Sequence, residues 1–291
     1  MPDHDPVLVL AICVNWNGEG VLRDTVDSLL RGDYAGLDVL VVDNASEDES
    51  ISSLPGDVEV MRLEKNLGYG GAINAALQSR LKTNSHDYFL LLNNDVVLGE
   101  DTVSKLLDFA EGRGPGVFGP RIVKFEDSNR LEAAWGKVSW SHVLARYYGK
   151  NRQKGSRRWN QAREVELLLG SALLVHRQIF EKVGLFDEAF FMYHEEVDFL
   201  FRARHSGFPV YYCPFTEVIH HGTYSTRGQP LKRTYWIRRN AVYFLRKHQA
   251  NGLQWSYFGS TLCLSLLRSL LLLRWSRAKT ILRAVKEGLT L

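Results

Sequence analysis

Four short apolar runs, Val7–Val14, Leu37–Val42, Val58–Leu63 and Tyr88–Leu92, alternate with three stretches of helical spacing, Gly20–Leu30, Glu47–Leu54 and Tyr69–Leu81. Apolar runs of that length bounded by polar residues read as buried strands, and strands alternating with helices make βαβ units. Such crossovers are right-handed, so the carboxyl ends of the strands gather along one sheet edge, where open α/β sheets bind ligands. The expected fold class is α/β, Rossmann-like, with a mostly parallel central sheet flanked by helices. Its edge collects Asn15, Asp43, Asn66 and Asn93–Asp95. Asp95 closes an apolar run, where it could hold a hard cation on a phosphorylated substrate or serve as a solvated turn residue.

A length of 291 residues suits one large domain, or a domain with an appendage. The net charge of +3 gives no field that would favour nucleic acid. Cys13, Cys213 and Cys263 are scattered and odd in number, which fits a reducing compartment and buried small hydrophobes better than a disulfide framework. The polar, acidic start Met1–Pro6 does not read as a signal peptide.

Several segments carry candidate chemistry. Asp43, at a strand end, could accept from a pyrimidine N–H or from ribose hydroxyls, while Ser46 and Glu49 make a capping box for the helix after it. The glycine-rich run Asn66–Asn74 either lets backbone approach a ligand or turns tightly into a helix; it is no dinucleotide fingerprint, because Ile73 holds the third required position. A helix is expected from about His194 to His205. It places Glu195, Asp198 and Arg202 on one face and Glu196 on another, with Asp198–Arg202 also readable as an ordinary i,i+4 pair. Aromatic neighbours should raise the pKa of these carboxylates, as suits a general base.

Between these segments, 125–164 reads as a loop-rich excursion dense in cations over Arg146–Arg163. An apolar run containing Gly170-Ser171 follows, and strands are expected at Val210–Cys213 and Glu217–His220. His220 opens the motif His-His-Gly-Thr-Tyr-Ser and is a candidate metal ligand if it shares an edge with Asp95. At the C-terminus, Leu262–Leu289 reads as a basic amphipathic helix. Arg268, Lys279, Arg283 and Lys286 cluster on one side; Leu271, Trp275, Ile281, Leu282, Val285 and Leu289 gather towards the other. Arg268 and Arg274 interrupt any span long enough to cross a bilayer, so the helix is expected to lie on an anionic membrane surface, or else to pack on the domain or a second subunit.

Taken together, Val14-Asn-Trp-Asn-Gly18, Asp43–Ser46, Asn66–Asn74, Leu92–Asp95, Gly170–Val175, Gly184–Glu188, Tyr193–Asp198 with Arg202, and His220 resemble the family 2 glycosyltransferases, in their rhamnosyltransferase-like branch. The order and spacing hold over roughly residues 8–225, and Arg239-Asn240 is similar to the family's C-terminal segment. The resemblance implies a GT-A fold with residues 1–230 as the transferase domain and 231–291 as a helical segment. It also implies an inverting transferase that takes a nucleotide-sugar donor, dTDP-rhamnose favoured by branch with UDP-sugars close behind, and a saccharide acceptor; the C-terminal helix, lying on a membrane, would hold the cleft near polyprenyl-linked saccharides. Asp95 and His220 would hold Mg²⁺ or Mn²⁺ on the donor diphosphate. Asn15, Asp43, Asn66, Gly68, Asn74, Asn93 and Asn94 would bind the donor. Glu196 takes the base position, where the family commonly has Asp, with Glu195 or Asp198 able to share the role. Asn93 replaces the first acid of a full DxD motif. Trp135, Arg202 and Arg239 are acceptor-side candidates. The implied location is cytoplasmic, on the inner face of the membrane, with a homo-oligomer open. A nucleotidyltransferase would want a cationic loop where Trp16-Asn-Gly-Glu-Gly stands; a non-catalytic nucleotide-binding scaffold is the other alternative.

Overall fold

The computed structural model describes residues 7–83, 85–222 and 228–291; the N-terminal hexapeptide and residues 223–225 of the His220 motif lie outside the described residues. Strands β1 (Val9–Asn15), β2 (Leu37–Asp43), β3 (Glu59–Arg62) and β4 (Tyr88–Asn93) pair in the order β4-β1-β2-β3, all parallel. Successive side chains of a strand point to opposite faces, so Leu10 and Ile12 pack on one side of the sheet and Val9 and Ala11 on the other. Helices α1 (Leu22–Leu30) and α3 (Thr102–Ala110) cover the second face. The first is covered by α2 (Gly68–Thr83), α4 (Arg177–Val183) and α5 (Glu195–His205). Burial on both faces is why these strands read as continuous apolar runs.

The second half of the sheet is mixed. β6 (Val117–Lys124) and β12 (Val210–His220) are parallel, and β11 (Ala172–His176) runs antiparallel between β4 and β6. The two strands expected at 210–213 and 217–220 are one, with a register shift between Cys213 and Glu217 around Pro214. β5 (Val96–Leu98) and β10 (Arg163–Glu164) flank β12, and β7 (Leu131–Ala133) flanks β6, giving this sheet ten strands among the described residues.

Several more expectations from the sequence need correction. The helix expected over Glu47–Leu54 is only a 3₁₀ turn, Ile51–Ser53. Asp48 accepts from both the backbone N–H and the hydroxyl of Ser50, a local arrangement that competes with helix, and Ser46 is engaged by Asn15 and Asn17 instead of capping. The excursion over 125–164 holds β7 and a hairpin, β8 (Trp135–Val138) with β9 (Ala145–Tyr148). That hairpin is anchored by Trp135, whose ring lies 5.1 Å from Trp159 and 5.4 Å from Tyr212. Cys13 and Cys213 are buried as expected, but Cys263 is exposed.

The C-terminal part is three helices, α6 (Pro230–Lys247), α7 (Gly252–Leu271) and α8 (Trp275–Thr290). The single helix expected over Leu262–Leu289 therefore breaks at Leu272–Arg274, where Leu273 has φ +53°. Further back, a capping box of Asn251 and Gln254 starts α7 ten residues before the expected boundary. α8 folds back on α6 so closely that a Cβ on Gly288 would lie 2.5 Å from the Arg239 carbonyl oxygen. Ile281 and Ala284, fully buried, seal that contact.

Candidate functional site

The register that pairs Asn15 with Asp43 and Val14 with Asn93 brings three strand ends level at one edge. β12 ends there in His220, and antiparallel β11 begins there after Gly170-Ser171. Asn15 is fully buried, accepts from Asn94 Nδ2 at 2.8 Å and donates to Asp43 Oδ1 at 3.3 Å and Ser50 Oγ at 2.9 Å. Asn15 and Asp43 thus form a hydrogen-bonded floor under the edge and do not line the cavity above it. The turn past β1 needs Gly18, because a Cβ there would lie 2.3 Å from Asn15 Oδ1.

A cavity of about 450 Å³ opens over this edge, within the usual range for a small-molecule site. Asn66, Asn93, Asn94, Asp95, Glu195, Glu196 and His220 all line it. Asn66 Oδ1 accepts from Asn44 Nδ2 at 3.1 Å and from the Gly68 N–H at 2.8 Å, which fixes its side chain.

On one wall, His220 Nε2 lies 3.1 Å from Asp95 Oδ1 and Nδ1 lies 2.6 Å from Glu132 Oε2. Burial alone would lower the histidine pKa, but the two carboxylates outweigh it and raise it to about 10. Asn93 Nδ2 is 3.5 Å from the same Nε2. Among the described residues no three His, Cys, Asp or Glu side chains form a ligand cage. Even so, a carboxylate beside an imidazole whose outer nitrogen is held by Glu132 fits a divalent ion that takes its other ligands from phosphate oxygens and water.

On another wall, Glu195 and Glu196 stand in the first turn of α5. Burial raises the Glu195 pKa well above the ordinary carboxylate range, and the neighbouring charge of Glu196 adds to it; burial raises Glu196 too. Tyr147 of the hairpin donates to Glu196 Oε1 at 3.1 Å, favouring its charged form, whereas Glu195 Oε2 has no hydrogen-bond partner. A Cβ at position 170 would lie 3.2 Å from Glu196 Cβ, so Gly170 leaves space for this side chain.

The loop leading into α5 is held in unusual backbone geometry, with Phe191, Tyr193 and His194 all at positive φ. α2 and α6 grip it. A Cβ on Gly68 would lie 2.1 Å from the Phe191 carbonyl oxygen, and Asn74 both donates to Phe186 O at 2.9 Å and accepts from Phe186 N at 3.0 Å. Asn240, fully buried on α6, donates to the carbonyls of Phe190, Met192 and Tyr193 at 2.7–2.8 Å. The structure therefore puts Gly68 and Asn74 behind the site loop, where Gly68 meets the Phe191 backbone and Asn74 the Phe186 backbone and the Glu188 carboxylate.

Four more sequence candidates lie apart from the cavity. Asp198, with a fully buried side chain, pairs with Arg202, Lys247 and His248 at 2.8 Å each. Arg202 also donates to the carbonyls of Val183 and Leu185, and Arg239 donates to Ala189 O. Trp135 is the hairpin anchor. Sequence reasoning passed over Trp16, Asn44, Tyr69, Glu132, Tyr147, Lys150, His194 and Arg233, all in the lining. Of these, Trp16, Asn44, Tyr69 and His194 sat inside quoted motifs, while Glu132 left no local sign.

The sequence profile of "Glycosyl transferase family 2" matches residues 11–197. An "N-acetylglucosaminyl-diphospho-decaprenol L-rhamnosyltransferase" of Mycobacterium tuberculosis (strain ATCC 25618 / H37Rv) is 30% identical over 274 residues, covering 85% of this chain and 87% of that protein. "Rhamnosyltransferase WbbL" of Escherichia coli (strain K12) is 23% identical, covering 78% and 81%. Among solved structures, S. aureus TarS 1-349 in complex with UDP-GlcNAc superposes with a TM-score of 0.54 at 16% identity, covering 96% of this chain and 91% of that one. GalNAc-T7 with UDP, GalNAc and Mn²⁺ gives a TM-score of 0.59 at 16% identity, covering 75% of this chain and 44% of that one. Both structural likenesses are of fold.

Proposed function

The chain belongs to glycosyl transferase family 2, in its rhamnosyltransferase-like branch, and on that premise we propose that it moves L-rhamnose from dTDP-rhamnose to a polyprenyl-diphosphate-linked saccharide with inversion. The Mycobacterium tuberculosis relative's name supports an N-acetylglucosaminyl-diphospho-polyprenol as acceptor. One observation carries the reading: the pair Glu195–Glu196 and the pair Asp95–His220 line the same cavity.

The reaction is a single displacement. Glu196 accepts the proton of an acceptor hydroxyl while that oxygen bonds to the anomeric carbon, and the bond to the donor diphosphate breaks with its electron pair. A carboxylate raised by burial is a stronger base than one in water, and Tyr147 orients it. Asp95 and His220 would hold Mg²⁺ or Mn²⁺, whose chemistry is to offset charge on the departing diphosphate. Lys150 and Arg233 supply further positive charge at the lining. Trp16, Asn44 and Asn66 shape the donor side above the floor of Asn15 and Asp43.

We place the corner between α7 and α8 on an anionic lipid surface. Among the described residues no helix is long and apolar enough to cross a membrane. Leu264, Leu267, Leu271, Leu273 and Trp275 are 55–83% exposed, an apolar patch of the kind that marks an interaction face. Arg268, Arg274, Lys279, Arg283 and Lys286 are exposed around it. This is a different set from the helical-wheel face, since Ile281 packs inward on α6.

A donor-turnover assay with an N-acetylglucosaminyl-diphospho-polyprenol tests the reading. Release of nucleoside diphosphate with a new rhamnosyl linkage is expected. Pyrophosphate as product would mean nucleotidyl transfer, and no turnover with any nucleotide-sugar would leave only a scaffold.

A further inference from the structure

Four buried side-chain nitrogens without a hydrogen-bond partner fall in one neighbourhood: Arg238 Nε, Arg277 Nε, His142 Nδ1 and His194 Nδ1. Arg238 is 5% exposed, and its Nη1 donates to the His142 carbonyl at 2.7 Å. Its charge acts on both histidines and is itself opposed by that of Arg277, so the groups are mutual neighbours. Burial and then Arg277 push Arg238 down to about 10. Burial first, then the charges of Arg238 and Arg277, lowers His142 to about 4; burial, against an opposing hydrogen bond with the Val143 backbone and helped by Arg238, lowers His194 to about 3, leaving both rings neutral at pH 7. Among the described residues no carboxylate forms a salt bridge with either arginine. Buried Arg177, by contrast, pairs with Glu181.

The buried Arg238 and the half-buried Arg277 repel one another with no counter-charge between them, and Arg238 gives up hydration without return. An anion that brings several acceptor oxygens removes both costs, and arginine suits phosphate geometry best. The position of the cluster indicates which anion. His194 and Val143 line the catalytic cavity, and the His142 N–H donates to Thr261 of α7 at 3.1 Å. Arg277 follows the exposed Trp275 by two residues. The cluster thus lies between the sugar site and the apolar corner, on the path of an acceptor whose saccharide enters the cavity while its chain stays in lipid.

We propose that Arg238, Arg277, His142 and His194 form a binding site for the diphosphate of the lipid-linked acceptor, separate from the donor diphosphate at Asp95 and His220. The site rests on the transferase reading for its ligand, and its test does not require turnover. Full-length protein saturated with dTDP, to block the donor site, is titrated calorimetrically with inorganic pyrophosphate and with geranyl diphosphate. R277Q is expected to weaken both at least tenfold, R277K to recover part of the loss, and dTDP affinity to stay unchanged. R238Q is expected to lose diphosphate binding while melting at the same or a higher temperature, since it removes an unpartnered buried charge. A phosphatidylglycerol vesicle arm separates the two phosphate sources, and R277Q should leave it unaltered. Wild-type diphosphate affinity in R277Q overturns the site, as does a loss confined to vesicle binding. Diphosphate binding that depends on Arg277 in a protein that turns over no sugar donor would keep the site and sink the transferase reading.

Discussion

Asn240 Nδ2 lies 2.7 Å from the carbonyl oxygen of Tyr193, although the two residues are far apart in sequence and on different elements. The contact couples the C-terminal helices to the shape of the cleft. N240A removes an amide whose two N–H groups are shared among three carbonyls of a buried loop at positive φ, at roughly 1 kcal/mol per bond and more where a carbonyl is left unpaired. We expect a loss of about 3 kcal/mol in urea denaturation. Faster amide exchange over 190–194 should accompany a fall in turnover larger than the change in donor affinity. Unchanged exchange in that loop would mean that α6 does not set its geometry.

Asp95 is the residue whose loss should hurt chemistry most with least harm to the fold. His220 keeps Glu132 as partner when Asp95 is gone. D95A is expected to lower transfer on the order of 10²–10³-fold or more, with far-ultraviolet circular dichroism unchanged. Chelation of divalent ions should reproduce the loss in the wild type and add little in the variant. Turnover indifferent to EDTA would remove the metal from this wall.

E196Q keeps the size of the side chain and removes the base. Transfer should fall on the order of 10²–10⁴-fold while dTDP binding persists. E195Q should retain most activity; the reverse pattern would move the base to Glu195. Y147F gives a finer readout. The tyrosine hydrogen bond favours the Glu196 carboxylate, so its removal raises the pKa of the base. The acidic limb of the kcat/KM profile should then move to higher pH.

Asp198 makes a stability prediction with a defined pH window. Burial opposes its charge, but the hydrogen bond from His248 and the charges of Arg202 and Lys247 prevail and hold it at about 2. A carboxyl depressed from an unfolded value near 3.8 contributes about 2 kcal/mol. That contribution is fully present above pH ~4 and is lost as pH falls through the folded value of about 2. Denaturation of D198N should show a shallower decline between pH 4 and pH 2 than the wild type, from a lower starting stability. Parallel declines would mean the ion-pair cluster does not titrate as a unit.

If the corner between α7 and α8 lies on lipid as proposed, serine at Leu267, Leu271, Leu273 and Trp275 together should remove on the order of 1.5–3 kcal/mol of apolar burial per side chain on membrane contact. The quadruple variant should no longer co-sediment with phosphatidylglycerol vesicles and should keep the wild-type melting temperature, because these side chains are exposed in the protein. A drop in melting temperature with unchanged sedimentation would show that the patch is covered by protein.

The parallel half of the sheet was legible because four strands buried on both faces must be apolar throughout, and their polar ends must stop at one edge. The same logic exposed Asp95, whereas the Glu195–Glu196 pair was read from helical spacing and from the family resemblance. Asp198 was harder. Helical spacing shows Arg202 one turn away but not Lys247 and His248, which arrive from α6 and its end and turn an apparent site acid into a structural anchor. Glu132 was hidden in a segment whose strand is three residues long, too short for any period to register. The part played by Asn240 left no local signal, since all of its loop partners lie about fifty residues upstream. The corner of α7 and α8 was misplaced for a plain reason. A helical wheel assumes a straight axis, and three consecutive residues at 272–274 break it.

The grip of α6 on the loop before α5 also orders events in time. As the chain is synthesised, the sheet, Asp95 and the two glutamates emerge first, and domains fold from the N-terminal side as they appear. The loop at 190–194 acquires its anchor only when Asn240 has followed. The leucines of α7 and α8 come last of all. A nascent molecule therefore holds Asp95 and the two glutamates in an unfinished arrangement until α6 has followed, so the cleft is completed from behind, by residues that never enter it.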